Sequence, residues 1–186
     1  MTARITYGVG AHEPIMHRLR TGNATAEEWA RWERETSPEN IELLGELGVA
    51  DAMIACCKGF GLEAEKPLIE RAARFAEKAA TYGIKTRIYV QGFPIYYETF
   101  FLEAPQAQGW LARDQKGDVI PWGAQTFRRW IDPTRREFHD YQARLLEYVL
   151  ARIKPSQVLM DNTFFHGCYT DSARASFRDY LTRKFA

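Results

Sequence analysis

The run Leu145-Leu146-Glu147-Tyr148-Val149-Leu150-Ala151-Arg152-Ile153-Lys154-Pro155-Ser156-Gln157-Val158-Leu159-Met160-Asp161-Asn162 decides the fold. Leu145, Val149 and Ile153 recur every four residues, which stacks them on one buried face of a helix. Pro155 has no N–H to continue that helix and ends it. Residues 156–160 then form a short apolar strand, and Asp161 stands where the strand meets its loop. A helix followed by a short turn and a buried strand is half of a βαβ crossover, so the strands it joins run parallel.

The same unit recurs upstream. A first strand is expected at residues 5–9. Thr25 with Glu28 reads as a capping box that opens a helix carrying Trp29 and Trp32. Ser37-Pro38 reads as the N-cap and first residue of another, with Ile41, Leu44 and Leu47 on one face and Gly48 closing it. Residues 49–55 form the second strand. The next helix has Pro67 near its first turn, an apolar stripe of Leu68, Ala72, Phe75, Ala76 and Ala79, and Gly83 at its end. Residues 84–90 form the third strand. Asp132-Pro133 opens the helix whose stripe is Phe138, Tyr141, Leu145, Val149 and Ile153. The last helix runs from about Thr170, with Ala173, Phe177, Tyr180 and Leu181 facing inward.

The fold class is therefore α/β, TIM-barrel-like, with about four parallel strands each followed by a helix: an incomplete half barrel. A doubly wound open sheet satisfies the same alternation. However, no strand is followed by G-x-G-x-x-G or G-x-x-x-x-G-K-[ST], so phosphate-cradling chemistry has no support. An isolated half barrel leaves two strand edges unpaired. The sequence stops just after a helix at Lys184-Phe185-Ala186, and a fragment or truncated product is the expectation.

Composition excludes several classes. The net charge of +1 argues against nucleic acid, an anionic membrane or a polyanion as partner. There is no signal core at the N-terminus and no apolar run of spanning length, so neither secretion nor a membrane is expected. Cys56, Cys57 and Cys168 form no C-x-x-C pattern, and a reduced, cytoplasmic setting follows as the expectation.

Chemistry is expected at the carboxyl ends of the strands, where elaboration concentrates. The segment 92–131 carries Phe93, Tyr96, Tyr97, Phe100, Phe101, Trp110, Trp122, Phe127 and Trp130, with a turn at Asp114-Gln115-Lys116-Gly117-Asp118 that suggests a hairpin. Flat aromatic faces suit the C–H faces of sugar rings, and the same side chains serve equally to pack a long loop from within. Asp161 is the catalytic candidate, a strand-end carboxylate placed as a nucleophile or stabiliser of an oxocarbenium-like state; the alternative is a local Asp-Asn turn. Asp132 is a further substrate-binding candidate, with a helix N-cap ahead of Pro133 as the alternative, and Trp130 beside it is freer to meet a substrate. Lys58, Gln91, Asn162, His166 and His12 are further candidates for substrate hydroxyls, with snorkelling the alternative for Lys58. His166, Cys168 and Asp171 lie on one loop without a fourth partner, so no metal is expected, and no cofactor either.

Residues 103–117 (Glu103-Ala104-Pro105 through Trp110 and Arg113 to Gly117) resemble the P-x-W-x-x-R-x-x-x-G region of a glycosyl hydrolase family (hypothetical glycosyl hydrolase 6-like) related to the α-amylase-like barrels. Trp130-Ile131-Asp132-Pro133, Leu159-Met160-Asp161-Asn162 and Cys168-Tyr169-Thr170-Asp171 with Phe177-Arg178-Asp179-Tyr180-Leu181 continue the likeness in order, although the family's later cysteines are absent. The resemblance implies a glycoside hydrolase acting on a carbohydrate, with Asp161 as nucleophile-type carboxylate and the acid on a later strand. Residues 1–186 then form one N-terminal (β/α)4 part of such a barrel. Only Glu98 and Glu103, on the long loop, offer a second carboxylate, so negligible activity of the chain alone is expected. A carbohydrate-binding module and a sugar isomerase or aldolase using Lys58 are the alternatives. Self-association or a missing C-terminal half-barrel are the expected protein partners.

Overall fold

The structure is a computed structural model that describes residues 5–9, 18, 21–164 and 167–185. Four strands alternate with helices: β1 (Ile5–Val9), α1 (Ala26–Glu35), α2 (Pro38–Glu46), β2 (Val49–Cys57), α3 (Leu62–Ala80), β3 (Lys85–Gln91), α5 (Arg136–Ile153), β6 (Gln157–Asp161) and α6 (Asp171–Phe185). Between β3 and α5 lie β4 (Pro94–Tyr96), α4 (Tyr97–Glu103), a 3-10 turn (Pro105–Trp110) and β5 (Arg128–Trp130). The main sheet has the order β1-β2-β3-β6, and β4 pairs antiparallel with β5. β1, β2 and β3 are parallel, with Tyr7 opposite Ala52 and Ala52 opposite Thr86. The Ser156 N–H donates to Thr86 O and the Gly92 N–H to Asp161 O, at 2.8 and 2.7 Å, so β6 runs parallel to β3. Among the described residues the sheet does not close on itself. None of the described helices is long and apolar enough to cross a membrane.

The capping signals act as the residue types require. Thr25 and Glu28 form the reciprocal box, and the Ser37 hydroxyl accepts the Asn40 N–H at 3.2 Å ahead of Pro38. Gly83 takes the left-handed φ of 73° that a side chain would resist.

The chain divides into two compact units. The first comprises Met1–Lys58, Glu65–Val90 and Tyr148–Leu159. Its core gathers Ile41, Leu44, Ala52, Ile54, Ile69, Phe75, Ile88 and Val149. At its surface Arg152 forks onto Glu70, with Nε–Oε1 at 2.8 Å and Nη2–Oε2 at 2.6 Å. That hydrogen-bonded guanidinium lowers the Glu70 carboxyl below its ordinary value of 4.5.

The second comprises Gly59–Ala64, Gln91–Glu147 and Met160–Ala186. Ile95, Phe100, Ala107, Trp110, Ile131, Phe138 and Tyr141 form its core. Here the first turn of α3 is capped from a distance. The Leu62 N–H donates to the Tyr141 hydroxyl at 2.6 Å, and the Glu63 N–H donates to Glu103 Oε2 at 2.9 Å. The Tyr141 hydroxyl in turn donates to Glu103 Oε1 at 2.9 Å.

Four sequence expectations are corrected. α3 starts five residues ahead of Pro67, because the remote cap from Tyr141 and Glu103 holds its opening turn. The long loop expected at 92–131 carries two strands and two short helices of its own, and the expected hairpin is present as the Arg113–Val119 bridge. α5 begins at Arg136, so Asp132 is not its N-cap; Asp132 Oδ1 instead accepts the Thr134 N–H at 2.9 Å in a side-chain turn. Finally, the stripe of α6 does not face inward. Phe177 is 60% exposed, Tyr180 and Leu181 are also exposed, and only Ala173 is buried, because none of the described residues covers that face.

Gly92 joins the ends of β3 and β6 so closely that a Cβ would lie 2.7 Å from Asp161 O and 2.8 Å from Asn162 O. Gly92→Ala is expected to cost about 1–3 kcal/mol in urea unfolding, while Gly109→Ala, which meets nothing, stays within about 0.5 kcal/mol. The Glu70 pairing stabilises the fold above the unfolded carboxyl's pKa, and that contribution is lost as pH falls from 4.5 through the lowered folded value. In Glu70→Gln, the unfolding midpoint is therefore expected to fall less steeply with pH over that acid range.

Candidate functional site at the strand ends

Asp161 is the last residue of β6, and its side chain is exposed. Its Oδ1 accepts the Asn162 N–H at 2.7 Å and its Oδ2 accepts Asn162 Nδ2 at 3.0 Å. The left-handed φ of 54° at Asn162, which asparagine tolerates, wraps that residue around the carboxylate. The local Asp-Asn turn is thus present, and it orients a carboxylate that remains open to solvent. Gly92, at the end of the neighbouring strand, lies against the backbone of the same turn.

Gln91, beside Gly92, is buried, and its Oε1 accepts a hydrogen bond from Arg128 Nη2 at 2.9 Å. Gln142 Nε2 donates to the Gln91 and Gly92 carbonyls at 3.3 and 3.0 Å and so holds this strand end in place. Arg128 is fully buried yet keeps its charge, because a guanidinium does not deprotonate in proteins. It lies 4.2 Å from the Trp122 ring and 5.1 Å from the Tyr96 ring, whose electron-rich faces offset part of the lost hydration. Tyr96 is itself stacked between Phe60 at 3.9 Å and Phe127 at 5.7 Å. Arg128 was missed in the sequence. The available signal was its alternation with Trp130, which puts both on one face of a strand.

Asp132 is fully buried in a second polar group. Its Oδ1 also accepts the Thr134 hydroxyl at 2.7 Å, its Oδ2 accepts the Thr170 hydroxyl, and the Thr134 and Ser172 hydroxyls lie 2.8 Å apart. This network fastens the approach to α5 to the start of α6. Trp130 is buried with Ala112, Cys168 and Ala173, and its ring meets the exposed Phe164 edge-on at 5.3 Å. Trp110 and Tyr96 are buried as well, so these three aromatics pack the long segment from within. Trp122 keeps part of its surface.

In the first unit, Lys58 is largely buried, with Nζ 3.7 Å from the Tyr89 ring centroid, and its backbone N–H donates to the buried Glu65. The Cys56 and Cys57 sulfurs are 3.6 Å apart and buried. The hydrogen bond between them and burial push the Cys57 thiol well up, which keeps it protonated and inert as a nucleophile near neutral pH. His12 and His166 lie outside the described residues. Of the two carboxylates considered as partners for Asp161, Glu103 is held at the start of α3, and Glu98 is exposed near the Tyr97 hydroxyl at 3.5 Å.

No family model and no curated protein matches this sequence. Solved structures do match. An α-amylase from Lactobacillus plantarum superposes with a TM-score of 0.60 at 13% identity, over 96% of this chain and 43% of that one. A noncanonic maltogenic α-amylase from Thermotoga neapolitana gives 0.55 at 11%, over 98% and 44%. A GH36 α-galactosidase from Geobacillus stearothermophilus gives 0.55 at 13%, over 98% and 26%. The chain spans less than half the length of each. At such identities the likeness is one of fold: four parallel strands alternating with helices, as in part of a TIM-barrel-like glycosidase.

Arg128→Lys keeps the charge but removes the planar fork that meets Gln91 and stacks on Trp122. It is expected to cost about 2–4 kcal/mol in chemical unfolding, as for other broken buried charge networks, and to shift the tryptophan emission to longer wavelength.

Proposed function

We propose that this chain belongs to a glycoside-hydrolase-like protein that acts on a carbohydrate glycosidic bond, with Asp161 as the nucleophile-type carboxylate. The observation that carries the reading is the place of Asp161: an exposed carboxylate ending a parallel strand, in a fold shared with two α-amylases and an α-galactosidase. Barrel enzymes build their sites at this end of the sheet. In a retaining mechanism such a carboxylate attacks the anomeric carbon while a second carboxyl group, about 5–5.5 Å away, protonates the departing oxygen. Asn162 holds both oxygens of Asp161, which would fix the attacking lone pair in direction. Asn162 and His166 are the proposed contacts to sugar hydroxyls, since Gln91 and Lys58 are buried. Tyr96, Trp110, Trp130 and Asp132 support the long segment from within.

Glu103 spends its carboxylate on the α3 terminus, so the protonating acid is proposed to come from a strand beyond these four. The same engagement of Glu103 favours a second reading, a carbohydrate-binding module that performs no chemistry.

A glycosyl fluoride needs no protonating acid, because fluoride leaves unaided. Incubation with 2-deoxy-2-fluoro-glucosyl and galactosyl fluorides is expected to leave one fluoroglycosyl group on the peptide containing Asp161, read by mass spectrometry and absent in Asp161→Asn. Oligosaccharide binding by calorimetry without labelling, unchanged in Asp161→Asn, would select the binding module. Neither labelling nor binding would remove both readings.

A further inference from the structure

Trp110, Trp130 and Tyr96 turn inward, but a different aromatic stays in the open beside Asp161. Phe164 follows Asp161 by three residues, so their Cα atoms lie at most about 11 Å apart. Its ring is 55% exposed, and it is held edge-on against the buried Trp130 with 5.3 Å between the ring centroids. A single exposed apolar side chain carries no message, whereas one that continues into an apolar patch marks a contact surface.

Phe164 does continue into such a patch. With the half-buried Phe93, Ile120 and Pro133 it lines a crevice over Trp130, and no residue of that lining carries a charge or a hydroxyl. The space inside is about 10 Å³, room for one water at most, so a ligand group lies over Phe164 rather than within the crevice. Backbone hydrogen bonds fix the patch to the Asp161 turn. The Phe93 N–H donates to Asn162 O at 3.3 Å, the Ile131 N–H to Phe93 O at 3.1 Å, and the Trp130 N–H to Ile120 O at 3.1 Å. The nearby His139 meets Phe93 edge-on at 6.2 Å, and its Nε2 lies 2.8 Å from the Pro133 carbonyl oxygen, so that nitrogen is engaged within the protein. Asp161 and all of these residues belong to the second compact unit.

A sugar ring brings several hydroxyls, and each loses hydration without return unless a polar group meets it. This patch offers ring and aliphatic surface instead, which favours a group that has no hydroxyls to desolvate. We propose that Phe164 is the platform for the aglycone, and that the substrates are glycosides whose leaving group is aryl or alkyl rather than a second sugar. The inference rests on the reading of Asp161 as the attacking carboxylate. In that reaction an Asp161 oxygen bonds to the anomeric carbon while the bond from that carbon to the glycosidic oxygen breaks. The electron pair leaves with the oxygen, which takes a proton from the second carboxyl group, and the aglycone departs as a phenol or alcohol. The aglycone therefore lies across the anomeric carbon from Asp161, a separation that the three-residue span to Phe164 accommodates.

Calorimetric titration of the 186-residue chain with phenyl and methyl glucosides and galactosides tests the proposal. For one sugar at least, the phenyl glycoside is expected to bind about 10-fold more tightly than the methyl glycoside, with maltose and lactose no tighter than the methyl compounds. Phe164→Ala is expected to abolish the phenyl advantage and Phe164→Trp to retain it, with urea unfolding of both variants confirming that they fold. The fluoroglycosyl fluorides carry no aglycone beyond fluoride, so labelling of Asp161 is expected to persist in Phe164→Ala, and the two readings fail separately. A phenyl advantage that is absent, or that survives in Phe164→Ala, overturns the proposal. A disaccharide that binds more tightly than the phenyl glycosides overturns it too, as does the absence of binding by every glycoside. A phenyl advantage lost in Phe164→Ala, in a chain whose Asp161 is not labelled, removes the attacking carboxylate and sustains Phe164 as the aglycone platform of a binding module.

Discussion

A strand in a parallel sheet must find hydrogen-bond partners on both sides and apolar cover on both faces, and the described fold follows the degree to which each strand does so. β2 and β3 lie inside the sheet and bury most of their residues. β6, at the edge, buries none of its five fully, although Val158, Leu159 and Met160 are as apolar as the residues of β2. The helices obey the same rule. Most of the stripes of α3 and α5 is buried, with Phe138 and Tyr141 of α5 packed on Phe100 and Trp110, while that of α6 stays exposed. An amphipathic pattern states which face a helix would bury, and a neighbour must then be present to bury it.

The second consequence concerns segment 92–131. Set between β3 and α5, it builds its own support: Trp110 and Phe100 join Phe138 and Tyr141 of α5, and Tyr96 is stacked between Phe60 and Phe127. Most of its aromatic surface is thereby spent on packing. The unusual element in this satellite core is Arg128, a buried cation whose hydration is replaced by Gln91 and two aromatic faces.

Three carboxylates show how tertiary context divides one chemical type into different roles. Glu103 serves as a remote cap for α3, Asp132 is fully buried among hydroxyls, and Asp161 stands exposed in the grip of Asn162. All three lie in loops or at element ends, and local sequence distinguishes them poorly. The Asp132-Pro133 pair satisfies the helix-start rule, yet the helix opens at Arg136, because Thr134 captures the carboxylate first.

The sequence by itself determined the alternation of strands and helices, the caps at Thr25 and Ser37, the turn at Gly83 and the position of Asp161 at a strand end. Each of these rests on spacing or backbone chemistry within a few residues, which is all a local pattern carries. Only the tertiary structure decided that α3 starts at Leu62, that Trp110 and Trp130 turn inward, that Arg128 meets Gln91, and that the stripe of α6 is left in the open. Those outcomes depend on groups 37 to 79 residues away in the chain, or on the lack of a covering group among the described residues, and no local periodicity encodes either.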